Sequence, residues 1–235
     1  EMLNNAIDHS NGTEAIIHTE WTSDSVDIVI IDDGIGIFRK IKNAFNLEDE
    51  RESALHLSKG KFTTDRKNHT GEGIFFTSRA FDSFHITSRG MAYIRDNTDH
   101  DWFVETTEDS KLEGTYLEMT ISLNSKRKMQ EVYAEYSNED SEGIPKFDKT
   151  HIIVELSKLG DERYVSRSQA RRIVLGLENF NHVYLDFKDI STVGQGFVDE
   201  VFRVFKSKKP KIKIDYINAN DDVKFMIERS LPSAV

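Results

Sequence analysis

The stretch VDIVIIDDGIGI, residues 26–37, begins with a strand pattern and ends in a turn that contains two glycines. Five of its first six residues are β-branched and apolar, which is typical of a strand. Gly34 and Gly36 interrupt the pattern, because glycine weakens a strand and favours a turn. The break leaves a carboxylate, Asp32, where the strand ends. The fold depends on which elements the segments before and after residues 26–37 form.

Upstream, the segment EMLNNAIDHS, residues 1–10, has the spacing of a helix. Glu1 and Asn5 stand one turn apart on one face of it. A separate apolar stripe, suited to a core, consists of Leu3, Ala6 and Ile7. The segment AIIHTEW, Ala15–Trp21, follows this helix and predicts another strand. A short turn separates it from the strand that begins at Val26. Taken alone, the polar face of the helix is either solvated or part of a site.

Downstream, the segment GEGIFFTSRAFD, residues 71–82, predicts a helix that begins at glycines and is amphipathic. The stretch before it, residues 38–68, is polar and indicates no regular element. Four strand patterns follow the helix: FHITS, MAYIRD, WFVETT and, over residues 114–123, GTYLEMTISL. A helix followed by consecutive strands favours an antiparallel sheet, so the predicted fold class is α+β.

Residues 124–149 are charged, contain Gly143 and Pro145, and are interpreted as a connection between domains. Beyond them strands and helices alternate, which predicts a smaller α/β domain. The predicted strands are residues 152–156, 183–187 and 212–217, and the predicted helices are residues 168–177, 196–205 and 221–229. The sequence therefore predicts one domain over residues 1–123, a linker over residues 124–149 and a second domain over residues 150–235.

The composition excludes several classes of function. The 235 residues carry a formal net charge of −10, so a nucleic-acid-binding surface is not expected. No apolar run is long enough to span a bilayer, and no membrane contact is expected. The absence of cysteine excludes disulfides, thiolate catalysis and cysteine-ligated zinc, and agrees with the cytoplasmic location that we expect. Because the chain begins without methionine and inside a predicted helix, we expect the first domain to be incomplete at its N terminus.

Three polar motifs stand in order: Glu1 with Asn5, Asp32-x-Gly34-x-Gly36, and Gly71-x-Gly73. Each is weak alone, because such glycine patterns are often only a turn or a helix entry. Together they suit one ligand, a nucleotide. A carboxylate at a strand end can accept a hydrogen bond from an exocyclic amine, which selects adenine. The first glycine pair lets the backbone pass close to a flat base, and the second leaves amide donors at a helix N terminus, where phosphate binds.

The first helix adds two groups to this hypothesis. Asn5 offers an oxygen to a hard cation such as Mg²⁺, which keeps several waters and binds phosphate oxygens. Glu1, one turn away, can orient or deprotonate an attacking water.

The segments EMLNNAIDHS, DDGIGI and HTGEGIFF, in this order, resemble the N, G1 and G2 boxes of the GHKL ATPases. That superfamily includes type II topoisomerases, heat-shock chaperones, histidine kinases and mismatch-repair proteins of the MutL type. The resemblance covers residues 1–123 and implies the GHKL (Bergerat) α/β sandwich, which binds ATP with Mg²⁺. By position, Glu1 matches the family's water-activating glutamate and Asn5 its magnesium ligand. Asp32 matches the adenine-reading aspartate, with Gly36 beside the base.

The resemblance assigns further residues around the nucleotide. Gly71 and Gly73 match the phosphate-facing glycines, and Thr115, in GTYLEM, matches a threonine that shares the adenine water network. The stretch between the glycine boxes would be the ATP lid, from which Lys59 or Lys61 could reach the phosphates. The chain departs from the histidine kinases in one respect, since its sequence contains no phosphoacceptor-histidine dimerisation helix.

In the second domain, the segment VYLDFKDISTVGQGFVDEVFRVF, residues 183–205, resembles the strand–loop–helix core of STAS-like domains, as in anti-sigma-factor antagonists. In the antagonists, a GHKL kinase phosphorylates a serine at the start of that helix. The corresponding place here is Gly194–Gln195–Gly196, which has no hydroxyl, and Ser191 and Thr192 lie earlier in the loop. The resemblance therefore brings no phosphorylation site with it, and the domain either binds a partner or only stabilises its neighbour.

The two resemblances imply an ATP-dependent conformational switch, in which ATP with Mg²⁺ orders the lid and hydrolysis resets it. Two alternatives stay open: a serine/threonine protein kinase of the anti-sigma-factor type, and a regulatory module that binds nucleotide without turnover. We expect a protein partner or a homodimer.

Overall fold

The computed structural model describes residues 1–61, 71–96, 102–105, 113–139, 142–158 and 163–231. The chain divides into two compact units, Glu1–Tyr133 and Ala134–Val235. The boundary between them falls within the stretch interpreted as a connection, which contains a helix and two short strands. Both units combine helices with strands, and the predicted α+β class is confirmed.

The described strands of the first unit are β1 (Ala15–Trp21), β2 (Ser25–Asp32), β3 (Ser83–Ser88), β4 (Met91–Asp96), β5 (Trp102–Glu105) and β6 (Tyr116–Ser122). They form one antiparallel sheet in the order β1-β2-β6-β3-β4-β5. Because β6 pairs antiparallel with β2, the residue that precedes β6 reaches the end of β2. There the amide nitrogen of Asp32 donates to the carbonyl oxygen of Thr115 at 3.0 Å.

Helices of the first unit pack on one face of this sheet. They are α1 (Met2–His9), α2 (Ile37–Phe45), α3 (Glu52–Lys59) and α4 (Gly73–Ala80). A further helix, α5 (Met129–Tyr136), contains the boundary between the units, and its last residues belong to the second unit. Alternate residues of the strands, such as Phe84 in β3 and Leu117 in β6, share one buried core with α1, α2 and α3. Helices α2 and α3 lie in the stretch for which the sequence indicated no element. They are stabilised by burial of Phe38 and Leu57 in that core, although polar neighbours hide the pattern.

The buried face of α1 differs from the predicted one. Met2 and Ala6 are buried in the core, whereas Ile7, predicted to face it, is 63% exposed. Successive residues of a helix are rotated by about 100°, so a face centred on Met2 and Ala6 turns Ile7 outward. Asn5 is rotated by about 80° from the centre of that face and is partly buried at its edge, whereas Glu1 precedes the helix and is exposed.

The described strands of the second unit are β7 (Ser137–Glu139), β8 (Pro145–Phe147), β9 (Lys149–Ile153), β10 (His182–Asp186) and β11 (Lys213–Ile217). Of these, β11, β10 and β9 form a parallel sheet in that order, and β7 pairs with β8 separately. Its helices are α6 (Arg167–Val174), α7 (Gln195–Val198), α8 (Lys206–Lys208) and α9 (Asp221–Ser230). A π-helical segment, Asp199–Phe205, joins α7 to α8.

Local signals explain where two helices of the second unit, α6 and α9, begin. Ser166 and Gln169 form a reciprocal capping box at the start of α6. The side chain of Asn220 accepts from the amide nitrogen of Val223 at 2.9 Å and caps α9. Both helices lie where the sequence predicts them. The strand predicted at residues 152–156 is instead β9, Lys149–Ile153, and a short 3-10 helix, Val154–Ser157, follows it.

Candidate functional site

A cavity of about 300 Å³ lies in the first unit, which is within the size range of small-molecule sites. Its walls come from α1, the turn after β2, the glycine segment before α4 and the residue that precedes β6. Seven of the nine predicted site residues line it: Glu1, Asn5, Asp32, Gly36, Gly71, Gly73 and Thr115. Segments that are far apart in the sequence therefore meet at one cavity.

One wall of the cavity combines an acid with a helix N terminus. The carboxylate of Glu1 lies against Gly73, the first residue of α4, and its Oε2 is 2.4 Å from where a Cβ at Gly73 would stand. Any larger residue at position 73 would therefore displace this carboxylate. Asn5 follows one turn later on α1, and its backbone N–H donates to the backbone carbonyl oxygen of Glu1 at 2.9 Å. This end of the cavity holds a carboxylate, an amide side chain and backbone donors.

Asp32 forms the opposite end and is held by the backbone. It is 6% exposed, and its Oδ1 accepts from the amide nitrogens of Gly34 at 2.9 Å and Thr115 at 3.2 Å. Within the described residues no hydrogen bond reaches the second oxygen, Oδ2. Two backbone donors therefore fix the carboxyl group and leave one oxygen as an acceptor for a ligand.

Thr115 joins the end of β2 to the start of α2. Its hydroxyl oxygen accepts from the amide nitrogen of Ile37 at 3.1 Å, while its own amide binds Asp32. The hydroxyl proton is left to be donated to another acceptor. Thr115 thus positions the adjacent acid and adds a polar group to the same wall.

The two glycines of the DDGIGI turn have different roles. Gly36 lines the cavity with φ of +83°, and a Cβ there would lie 2.3 Å from the hydroxyl oxygen of Ser88. Gly34 lies behind the wall, where a Cβ would be 2.2 Å from the carbonyl oxygen of Ser10. Close approach of backbone therefore requires glycine at position 34, and its part in the site is the amide that binds Asp32.

The predicted lid residues are only partly described, since residues 62–70 lie outside the described ranges. Gly71 lines the cavity and has a φ of +74°. Gly60, which follows α3, also lines it and has a φ of +78°. Of the two lysines from which a contact with the phosphates was predicted, Lys59 is 1% exposed, and neither Lys59 nor Lys61 is part of the described cavity lining.

Sequence reasoning missed Lys40, which also lines the cavity. It stands on α2, and its side-chain Nζ donates to the carbonyl oxygen of His9 at the end of α1. Burial lowers the pKa of Lys40, and the negative charge of Asp32 opposes that shift. The sequence signal that could have identified Lys40 is its position one helical turn after Gly36, because α2 begins directly after the DDGIGI turn.

In the second unit, the start of α7 is covered by a neighbouring segment. The amide nitrogen of Gly194 donates to the carbonyl oxygen of Tyr164 at 2.7 Å. A Cβ at Gly194 would lie 2.6 Å from the Cα of Val165, so the backbone passes directly over this position. Ser191 and Thr192, earlier in the loop, are exposed.

Two kinds of feature are absent from the described part of the chain. Across the described ranges, no helix combines the length and apolar character needed to cross a bilayer. In that same part of the chain, no three His, Asp or Glu side chains cluster as a metal site would require. Among the side chains that line the cavity, Asn5 offers an oxygen of the kind that a hard cation such as Mg²⁺ accepts.

Comparison with protein families matches residues 169–224 to a STAS-like domain of unknown function (DUF4325). The matched segment runs from α6 into α9 and includes the predicted strand–loop–helix core. No significant match is found to a curated protein or to a solved structure. The GHKL resemblance of the first unit rests on its motifs.

Proposed function

We propose that the first unit is an ATP-binding domain of the GHKL type in a cytoplasmic regulatory protein. Mg²⁺-dependent hydrolysis of ATP there drives a conformational switch that acts on a protein partner or within a homodimer. The convergence of the three motifs on one cavity carries the proposal. If the glycines only formed turns and the polar residues of α1 only faced solvent, the three motifs would not be expected to line one cavity.

The Asp32 end of the cavity suits adenine. An ionised carboxylate only accepts hydrogen bonds, and the exocyclic amine of adenine donates them. Because backbone amides hold Oδ1, the remaining oxygen is positioned before the ligand arrives. The hydroxyl of Thr115 supplies a donor beside it.

The Glu1 end suits the phosphates. Gly71 and Gly73 precede and begin α4, whose N-terminal amides favour an anion, and Asn5 would hold Mg²⁺. When bound, the metal ion neutralises charge on the phosphate oxygens. Glu1 accepts a proton as water attacks the γ-phosphorus. The bond from that phosphorus to the bridging oxygen breaks, and the products are ADP and phosphate.

Substitution of the proposed magnesium ligand should weaken binding and turnover together. We expect Asn5→Ala to reduce Mg²⁺-dependent ATP affinity by at least about tenfold, the scale seen when a residue that supports a metal site is lost. Raised Mg²⁺ should restore part of the loss. Titration of ATP at several Mg²⁺ concentrations measures this. Asn4→Ala is the matched control, because Asn4 is exposed and does not line the cavity. Equal effects of the two variants would remove Asn5 from the site.

The alternatives are separated by one set of measurements on the full-length protein. Phosphate release from ATP without any protein substrate supports the switch. Transfer of label from the γ-phosphate to a protein supports a serine/threonine kinase of the anti-sigma-factor type. Saturable ATP binding with neither outcome supports a regulatory module without turnover, and lack of ATP binding contradicts all three.

The STAS-like segment should not accept phosphate. Gly194–Gln195–Gly196 offers no hydroxyl, and the backbone of Tyr164 and Val165 covers Gly194. We therefore expect residues 183–205 to keep their unmodified mass after incubation of the protein with ATP and Mg²⁺. Mass spectrometry of the peptides measures this. Phosphate on Ser191 or Thr192, the exposed hydroxyls of the loop, would contradict the prediction and favour the kinase.

A further inference from the structure

Lys40 is a cavity-lining cation to which the proposed function assigns no role. The backbone places it one turn into α2, where its amide nitrogen donates to the carbonyl oxygen of Gly36 at 3.0 Å. Its Nζ donates to the carbonyl oxygen of His9. Among the described residues this is the single hydrogen bond of Nζ, and a lysine ammonium has three donors. Lys40 therefore has donating capacity that the described protein atoms do not use.

The direction of α1 shows which end of the cavity Lys40 belongs to. The eight residues of α1 span ~12 Å, and its start carries the acid of the proposed phosphate end. Its other end, His9, is followed by Ser10, whose carbonyl oxygen accepts from the amide nitrogen of Ile35 at 3.0 Å. Ile35 belongs to the turn after β2. By its bond to His9, Lys40 lies at the base end of the cavity.

The charge of Asp32 acts on Lys40 across this end of the cavity, since it opposes the effect of burial on the pKa of the lysine. Within the described part of the chain, no ion pair joins the two side chains. Each group is partly removed from water, and each keeps hydrogen-bonding capacity. A ligand that supplies a donor to one and an acceptor to the other would satisfy both.

We propose that Lys40 is a second residue that reads the base. Asp32 accepts a hydrogen bond from the exocyclic amine of adenine, and Lys40 donates one to a ring nitrogen next to that amine. The inference rests on the proposed binding of ATP. Adenine carries its exocyclic amine between two ring nitrogens, N1 and N7, and both are acceptors. Asp32 as acceptor and Lys40 as donor therefore match either the amine with N1 or the amine with N7. Guanine presents a carbonyl in place of the amine and would face Asp32 with a second acceptor.

Purine analogues test this without altering the protein. In 1-deaza-ATP and 7-deaza-ATP, one ring nitrogen is replaced by C–H, which removes a single acceptor and leaves the amine. We expect one of the two analogues to bind about 10–150-fold more weakly than ATP, the range for a hydrogen bond to a charged group. Calorimetry or fluorescence competition on the full-length protein measures the three dissociation constants.

Variants then assign the lost contact to Lys40. Lys40→Met keeps the length of the side chain and removes the donors, so it should bind ATP as weakly as the unchanged protein binds the sensitive analogue. The analogue should suffer no further loss in that variant. Lys40→Arg keeps a donor and should retain part of the affinity for ATP. Lys42→Met, on the same helix but away from the cavity lining, should behave as the unchanged protein.

The outcomes separate this inference from the proposed function. An analogue penalty that disappears in Lys40→Met supports the base-reading role. ATP binding with no analogue penalty, or with the same penalty in Lys40→Met, overturns that role and leaves the ATP site standing. If Lys40→Met weakens ATP and both analogues equally, Lys40 only fixes the end of α1, and the inference is again overturned. Failure of the unchanged protein to bind ATP overturns both proposals.

Discussion

Glu1→Gln should bind ATP with nearly unchanged affinity and release phosphate about 10²-fold or more slowly, the usual scale for loss of a general base. Glutamine keeps the size and the hydrogen-bonding ability of the side chain but cannot take a proton from water. The carboxylate of Glu1 lies against Gly73 at the start of α4, beside the place proposed for the phosphates. Binding is set by other residues, so the effect should fall on turnover. Equilibrium titration of ATP and a phosphate-release assay measure the two quantities.

Asp8 supplies the matched control for Glu1. It is also an acid on α1, but it is exposed and does not line the cavity. Asp8→Asn should therefore hydrolyse ATP at close to the original rate. Both variants should be made in protein that carries residues before Glu1, so that its α-amino group is in a peptide bond. Hydrolysis by Glu1→Gln at the original rate would mean that another group is the base, and the switch would give way to the kinase or the binding module.

Asp32→Ala should weaken ATP binding by about 1.5–3 kcal/mol, or roughly 10–150-fold, the contribution of a hydrogen bond to a charged group. The loss follows because Asp32 is the buried acceptor proposed to meet the exocyclic amine of adenine. GTP has a carbonyl at that position and should bind the unchanged protein poorly. Dissociation constants for ATP and GTP, measured side by side, check both statements.

A second variant separates base reading from folding at this position. Alanine leaves the amide nitrogens of Gly34 and Thr115 without their acceptor, which costs stability on its own account. Asp32→Asn keeps an oxygen for these amides and replaces the other oxygen with a donor. That variant should lose affinity for ATP and gain relative affinity for GTP, while its melting temperature changes less than that of Asp32→Ala. Equal affinity of the unchanged protein for ATP and GTP would contradict the role of Asp32.

Most strands of the first unit and the alternating strands and helices of the second could be predicted from the sequence, although β9 begins earlier than expected and the short strands β7 and β8 were not predicted. Alternating apolar residues and turn residues place β3, β4 and β6 where they were expected, because these signals act over a few residues. The match of residues 169–224 to a STAS-like family agrees with the strand–loop–helix pattern. Helices α2 and α3 were missed because core contacts, rather than local periodicity, stabilise them.

By itself, the sequence determined the α+β class, the order of the three polar motifs and the end of β2 at Asp32. The tertiary structure alone decided which side chains share the cavity. Packing turns Ile7 outward, places Gly34 against Ser10 behind the wall and brings Lys40 to the end of α1. The physical reason is range: hydrophobic periodicity and glycine conformation act between near neighbours, whereas a cavity wall depends on contacts between elements that lie far apart in the sequence.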